Sequence, residues 1–257
     1  MSRLQNKTVF ITGATSGIGR ACAFQFAAAG ANLLLCARRK SLLDETAEEI
    51  RKSSSVNIHT FELDVTSREA VGAAISSLPE EWKKVDILIN NAGLARGFDK
   101  FYECSEDDWD IMIDTNVKGL LYVTKAVIPE MLKKGQGHII NIGSIAGHEP
   151  YPKGAVYCAT KHAVDAITKS LRMDLVDKNI RVSTIDPGMV ETNFSVIRFH
   201  GDEEKAKNVY KGLTPLTADD IAETILFIAS RPDHVNIGEV IIFPTAQASA
   251  TISHRAI

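Results

Sequence analysis

Four cysteines in 257 residues, Cys22, Cys36, Cys104 and Cys158, stand apart, with no Cys-x-x-Cys pair and no histidine grouping beside them. That scatter suggests neither a disulfide framework nor a zinc site, and it fits a reducing cytoplasm. The seven histidines show no metal-ligand spacing either, so no metal is expected. Charge of one sign is not in excess: 29 Lys and Arg against 32 Asp and Glu leave a formal net charge of −3, which gives a nucleic acid no footprint. No window approaches ~18 uninterrupted apolar residues, so a membrane span is disfavoured. The opening "MSRLQNKTVF" lacks an apolar signal region, so secretion is disfavoured too. Linkers rich in Pro, Gly and Ser, low-complexity tracts and repeats are also missing, which predicts one domain over residues 1–257 in a cytoplasmic protein.

What is present is an alternation. Short runs rich in Val, Ile and Leu recur as "TVFIT", "ANLLLCA", "NIHTFEL", "VDILIN", "GHIINI", "IRVSTI" and "EVIIF". Helical patterns such as "GIGRACAFQFAAAG" and "LLDETAEEIRKS" lie between most of them. Near-continuous apolar strands separated by amphipathic helices predict an α/β, doubly wound parallel sheet covered on both faces. Ligands in such folds bind beyond the carboxyl ends of the strands, so chemistry is sought just after each run.

The first run ends in "TGATSGIG", which spans Gly13, Ala14, Thr15, Ser16, Gly17, Ile18 and Gly19 and leads into a helix. Glycines let a backbone approach a pyrophosphate, which the helix N-terminus then stabilises. The spacing departs from G-x-G-x-x-G, and alone it is equally a plain strand-to-helix turn. After the second run, where an NAD site usually places an acid, stand Ala37, Arg38 and Arg39. Guanidinium groups can hold a 2′-phosphate in bidentate fashion, which favours NADP over NAD; the plain alternative is a solvated basic turn. Asp64 and Val65 follow the third run, and Asn91, Ala92 and Gly93 follow the fourth. In "AVYCATKHAV", Tyr157 and Lys161 are four residues apart on one helix face, so a phenol and an ammonium can share one small space.

With "TGATSGIG", "NNAG", Thr115-Asn116, "GSIAG", "YCATK" and "DPGMVET" in that order, the chain resembles the short-chain dehydrogenase/reductase family over essentially its whole length. The resemblance implies a Rossmann sheet, a nicotinamide cofactor, a homotetramer, and catalytic roles for Asn116, Ser144, Tyr157 and Lys161. It also implies cofactor contacts at Gly13 through Ile18, at Arg38, Arg39, Asp64, Val65 and Asn91, and along Pro187, Gly188, Val190 and Thr192. Tyr157 would exchange the proton that accompanies hydride transfer. A free phenol, with a pKa near ~10, is too weak an acid for this unaided. A lysine charge at ~4 Å in an effective dielectric of ~20 offers up to ~4 kcal/mol, about three pKa units. Ser144 would hold the substrate oxygen, and Asn116 would bend its helix to leave a water-linked path to Lys161.

Within the family, reductases of 3-oxoacyl chains on acyl carrier protein typically carry a Gly-Gly dipeptide after the last strand, where this chain reads "GEVIIFPTAQAS". The stretch after "DPGMVET" is similar to that of NADP-dependent 3-hydroxy acid dehydrogenases acting on serine, allo-threonine or 3-hydroxypropionate-type acids. A carboxylate in the site needs a cation, and Arg198 on the flap "NFSVIRFHG" is the candidate, with Lys153 as its rival. His148 is the one histidine expected near substrate. A general carbonyl reductase and a non-catalytic NADP(H) sensor are the competing readings. An intact Ser144, Tyr157 and Lys161 argues against the sensor.

Overall fold

The computed structural model describes residues 3–256. Among them, seven strands form one all-parallel sheet in the order β3-β2-β1-β4-β5-β6-β7. The strands are β1 (Thr8–Thr12), β2 (Asn32–Ala37), β3 (Ile58–Glu62), β4 (Ile87–Asn90), β5 (Gly137–Ile142), β6 (Ile180–Pro187) and β7 (Glu239–Ile242). Between them run α1 (Gly17–Ala28), α2 (Lys40–Arg51), α3 (Arg68–Ser77), α4 (Glu80–Lys83), α5 (Glu106–Ile113), α6 (Leu120–Lys134), α7 (Ala155–Asp174), α8 (Phe194–Arg198), α9 (Glu203–Asn208) and α10 (Ala218–Ala229). Each apolar run read from the sequence contains a strand. The central β1, β4 and β5 are buried throughout, β2 and β6 at all but one residue each, whereas β3 and β7, at the two edges, are only partly covered.

The period-2 geometry of a strand splits each apolar run between two cores. Val9 and Ile11 join Phe26 of α1, Leu43 of α2 and Ile225 of α10 on one face. Phe10 joins Val71 of α3 and Val127 of α6 on the other. Buried amides lock the second layer in place. Asn90 Nδ2 donates to Thr124 Oγ1 of α6 at 2.8 Å and to Asn141 Oδ1 of β5 at 2.9 Å. Asn141 Nδ2 in turn donates to Thr168 Oγ1 of α7 at 2.8 Å. An unsatisfied buried amide costs ~1–3 kcal/mol, so this chain of bonds fixes where α7 lies on the sheet.

Strand order reverses between β1 and β4, on opposite sides of which the chain winds in opposite directions. The carboxyl ends there open into a cavity of about 820 Å³.

Candidate active site

One end of the cavity is the loop between β1 and α1. Gly13 and Gly17 have φ of +68° and +53°, a region costly for side-chain-bearing residues. The loop is stapled from below: Asn91 Nδ2 donates to the Thr12 and Gly13 carbonyls at 2.9 and 3.1 Å, and Thr12 Oγ1 accepts from the Asn91 and Ala92 amides. Thr15, Ser16, Gly17 and Ile18 line the cavity beside Gly13. Ala14 and Gly19 do not. Ala14 is fully buried in the core, and a side chain on Gly19 would run into Asn91 and the Gly13 carbonyl, so these two pack the loop rather than face a ligand.

Arg38 and Arg39, at the end of β2, are exposed and line the same cavity, and neither guanidinium is engaged in a hydrogen bond or ion pair among the described residues. Asp64, Val65, Ala92, Gly93, Pro187, Gly188, Val190 and Thr192 complete the wall. Asp64 Oδ1 also caps its own turn by accepting from the Thr66 amide and hydroxyl.

At the other end stand Ser144, Tyr157 and Lys161, all buried and all lining the cavity. The α7 spacing places the Lys161 ammonium 5.9 Å from the centre of the Tyr157 ring. Lys161 Nζ donates to the Ile142 carbonyl at 2.8 Å. Burial lowers its pKa to about 8, against the opposing charge of Asp186. The phenol behaves otherwise than the lysine spacing suggests. Burial, with Tyr151 beside it, pushes the Tyr157 pKa up, and the opposing influences are Arg198 and the Ser144 hydroxyl rather than Lys161. The protein's own groups therefore leave Tyr157 a neutral proton donor.

Asn116 lies in a π-helical segment, Asp114–Gly119, which gives the predicted irregularity a definite form. Its side chain does not face the cavity. Oδ1 accepts from the Leu94 amide at 2.8 Å, and Nδ2 donates to the Leu94 carbonyl at 2.8 Å and to Thr160 Oγ1 at 3.1 Å. The amide is thus committed to holding the Leu94 loop against α7. A Cβ on Gly93 would meet both Asn116 Oδ1, at 3.3 Å, and Lys161 Nζ, at 3.8 Å, so the two residues flank one backbone turn.

Arg198, on α8, enters the cavity from the flap and sits in an aromatic box. Its guanidinium carbon is 4.9 Å from the Tyr157 ring centre, 5.1 Å from Phe194, 5.8 Å from Phe98 and 5.9 Å from Tyr151. One of its terminal nitrogens donates to the Tyr151 hydroxyl at 2.8 Å, while buried Nε has no partner. Among the described residues no carboxylate pairs with it. Its backbone is pinned by the Gly97 amide, which donates to the Arg198 carbonyl at 2.9 Å. Lys153, the rival cation, also lines the cavity, 5.7 Å from the Phe98 ring centre. His148 does not touch the cavity; it faces Asp186 and Glu239.

Tyr151, Phe194, Tyr210 and Gln247 are cavity residues that sequence reasoning passed over. Tyr151 stands midway between Ser144 and Tyr157, where proximity to both was a usable signal. Gln247 accepts from the Met189 amide at 2.8 Å across 58 residues, a contact that no local pattern announces.

Comparison with known proteins agrees with this geometry. Residues 7–202 match the family model described as short chain dehydrogenase. The chain is 48% identical over 256 residues to an NADP-dependent 3-hydroxy acid dehydrogenase of Schizosaccharomyces pombe, covering 99% of each. It is 46% identical to sulfoacetaldehyde reductase 2 of Chromohalobacter salexigens, over 93% of this chain and 95% of that one. Among solved structures, the closed form of a serine dehydrogenase complexed with NADP+ superposes with a TM-score of 0.91 at 42% identity, over 96% of this chain and 99% of that one. Sheet order, glycine loop and the Ser144, Tyr157 and Lys161 cluster all converge: the chain belongs to the short-chain dehydrogenase family.

Proposed function

We propose that this protein is an NADP-dependent dehydrogenase that interconverts a small 3-hydroxy acid, of the serine, allo-threonine or 3-hydroxypropionate class, and its 3-oxo partner. The cavity volume, about 820 Å³, falls within the range of ligand clefts, roughly 300–1,000 Å³. The positive-φ glycines and the two unengaged arginines fit a dinucleotide with a 2′-phosphate. Bound there, NADP(H) supplies or accepts the hydride.

Tyr157 is the acid/base, exchanging a proton with the substrate oxygen, and Ser144 Oγ orients that oxygen. Lys161 supplies positive charge when the phenol ionises. Its lowered pKa, about 8, leaves it mostly protonated at neutral pH. Asn116 acts indirectly, by shaping the π-helical turn beside Gly93. A non-catalytic sensor would not need an acid/base buried beside a cation.

The observation that carries the substrate class is Arg198: a guanidinium with an unpartnered buried Nε and no carboxylate of its own, held against the Tyr157 ring. An anionic tail on the substrate supplies the missing partner. The relatives' names agree, since one acts on hydroxy acids and another on an aldehyde bearing a sulfonate. Arg198→Met should lower kcat/KM for serine or 3-hydroxypropionate by ~10–100-fold, as loss of a charged hydrogen bond of ~1.5–3 kcal/mol would, and leave a neutral alcohol almost unchanged. Equal loss on both would mean that Arg198 only orders the flap. An undiminished acid would move the assignment to Lys153.

The same reading extends to a cytoplasmic homotetramer, with α5, α6 and α7 at one interface. Its support is the apolar surface at Ile113, Leu121 and Leu132 on α5 and α6, and at Met173 and Val176 at the end of α7 and just past it. The four cysteines are free thiols, and no described helix is long and apolar enough to cross a membrane.

A further inference from the structure

Behind the Ser144 turn lies a buried carboxylate that the reaction as described does not use. Asp186, near the end of β6, is 1% exposed. Its Oδ1 accepts from the Ser144 amide at 3.1 Å and from Thr184 Oγ1 at 3.0 Å. It is pressed so closely against Gly143 that any side chain there would overlap it. Oδ2 has no hydrogen bond and faces His148 Nε2, itself buried and unpartnered, at 3.4 Å. The other ring nitrogen of His148 faces Glu239 Oε1 at 3.8 Å, and Glu239 Oε2 lies 3.4 Å from Lys169, which also pairs with Asp165. Of the imidazole forms, only the imidazolium carries an N–H on both ring nitrogens.

This cluster is tied to the catalytic lysine from two sides. Asp186 is the charge that opposes the loss of the Lys161 proton. The turn carrying Ser144 and His148 packs against the Lys161 backbone so tightly that a Cβ on Gly147 would stand 2.7 Å from the Lys161 carbonyl. His148, Glu239 and Lys161 are the charged or titratable groups facing Asp186, and Lys169 and Asp165 close the outer end.

We propose that Asp186, clamped by His148 and through it by Glu239, is a positioning residue: its carboxylate fixes the Ser144 turn and keeps a negative charge behind Lys161, so that the ammonium stays charged while Tyr157 exchanges its proton. The inference rests on the reading of Tyr157 as acid/base. Asp186→Asn keeps the shape and an acceptor for the Ser144 amide but removes the charge. Lys161 then gives up its proton more readily, and the phenolate that forms on Tyr157 during turnover near neutral pH loses its counter-charge.

The test follows NADP+-linked oxidation of 3-hydroxypropionate from about pH 6 to about pH 10, together with the pH dependence of the folding stability of each protein relative to its Lys161→Met counterpart, which reads the Lys161 titration. In Asp186→Asn the rise of stability with pH that accompanies Lys161 deprotonation should begin at lower pH than in wild type. The kcat should fall ~10-fold between the lowered Lys161 pKa and about pH 8 and converge with wild type at higher pH, where Lys161 is neutral in both, with KM little changed. His148→Phe should move both in the same direction by less, and His148→Gln, which returns one N–H to Asp186, should recover most of the loss. Glu239→Gln, at the solvent end, should change kcat less than about twofold.

A loss of kcat equal at every pH, or an unmoved Lys161 titration, would overturn the proposal and leave Asp186 a strut. A shifted Lys161 titration in a protein that oxidises no alcohol would instead uphold the positioning role and overturn the proposed reaction. Zinc that raises the thermal midpoint of wild type but not of His148→Phe would make His148, Asp186 and Glu239 a metal site and overturn the ion-pair assignment.

Discussion

Lys161 is a cation buried in the cavity, and its burial has a measurable pH signature. Its pKa falls from the ordinary 10.5 to about 8 on folding because burial penalises the ammonium. Below about pH 8 both folded and unfolded chains hold the proton, so the penalty is fully present. Between about 8 and 10.5 the folded chain releases it first, the unfolded chain binds more protons, and stability rises with pH. Lys161→Met should therefore be more stable than wild type at pH 7 by up to about 3 kcal/mol, less the lost bond to Ile142, with the gain vanishing above about pH 10. Denaturant melts at the two pH values check this, and a difference that does not change with pH would contradict the assignment. At this scale the sequence announced Ser144, Tyr157 and Lys161, because the i,i+4 spacing and the strand end are local. It misled on the phenol. The Lys161 amine is turned to the Ile142 carbonyl, and burial, with Tyr151 beside the ring, outweighs the opposing Arg198, 41 positions along the chain.

Elements rather than residues determine cofactor choice. Strand β2 ends at Ala37, and α2 begins at Lys40, so Arg38 and Arg39 occupy the two-residue bend at the cavity rim. Both are exposed, and any contribution comes from charge-assisted contacts worth ~1.5–3 kcal/mol each, not from packing. Replacing both with Ala should weaken NADP+ by at least ~10-fold more than NAD+ in direct binding measurements, with little effect on thermal stability. Equal weakening would show that the bend does not read the 2′-phosphate. All seven strands were legible from apolar runs, with their ends placed to within two residues. The π-helical form of Asp114–Gly119 was not, because it depends on the Asn116 amide reaching back 22 residues to Leu94.

For the whole molecule, the apolar residues left on α5, α6 and α7 predict an assembly. Light scattering should give about four times the 28.0 kDa chain mass, and a monomer would contradict the interface. Family membership was legible because its motifs follow one another in order along strand ends. The substrate box was not. Arg198, Tyr151, Phe98 and Phe194 come from three separate segments and meet only through the folded flap. The account stands most directly on turnover: wild type and Tyr157→Phe assayed for NADPH formation with 3-hydroxypropionate, serine and a neutral alcohol, using NADP+ and NAD+ in parallel. Wild type should turn over steadily with NADP+, the acids ahead of the neutral alcohol, and Tyr157→Phe should lose ~10² or more with NADP+ binding kept. A Tyr157→Phe protein that retains most of its turnover, or a wild type that prefers NAD+ and the neutral alcohol, would contradict it.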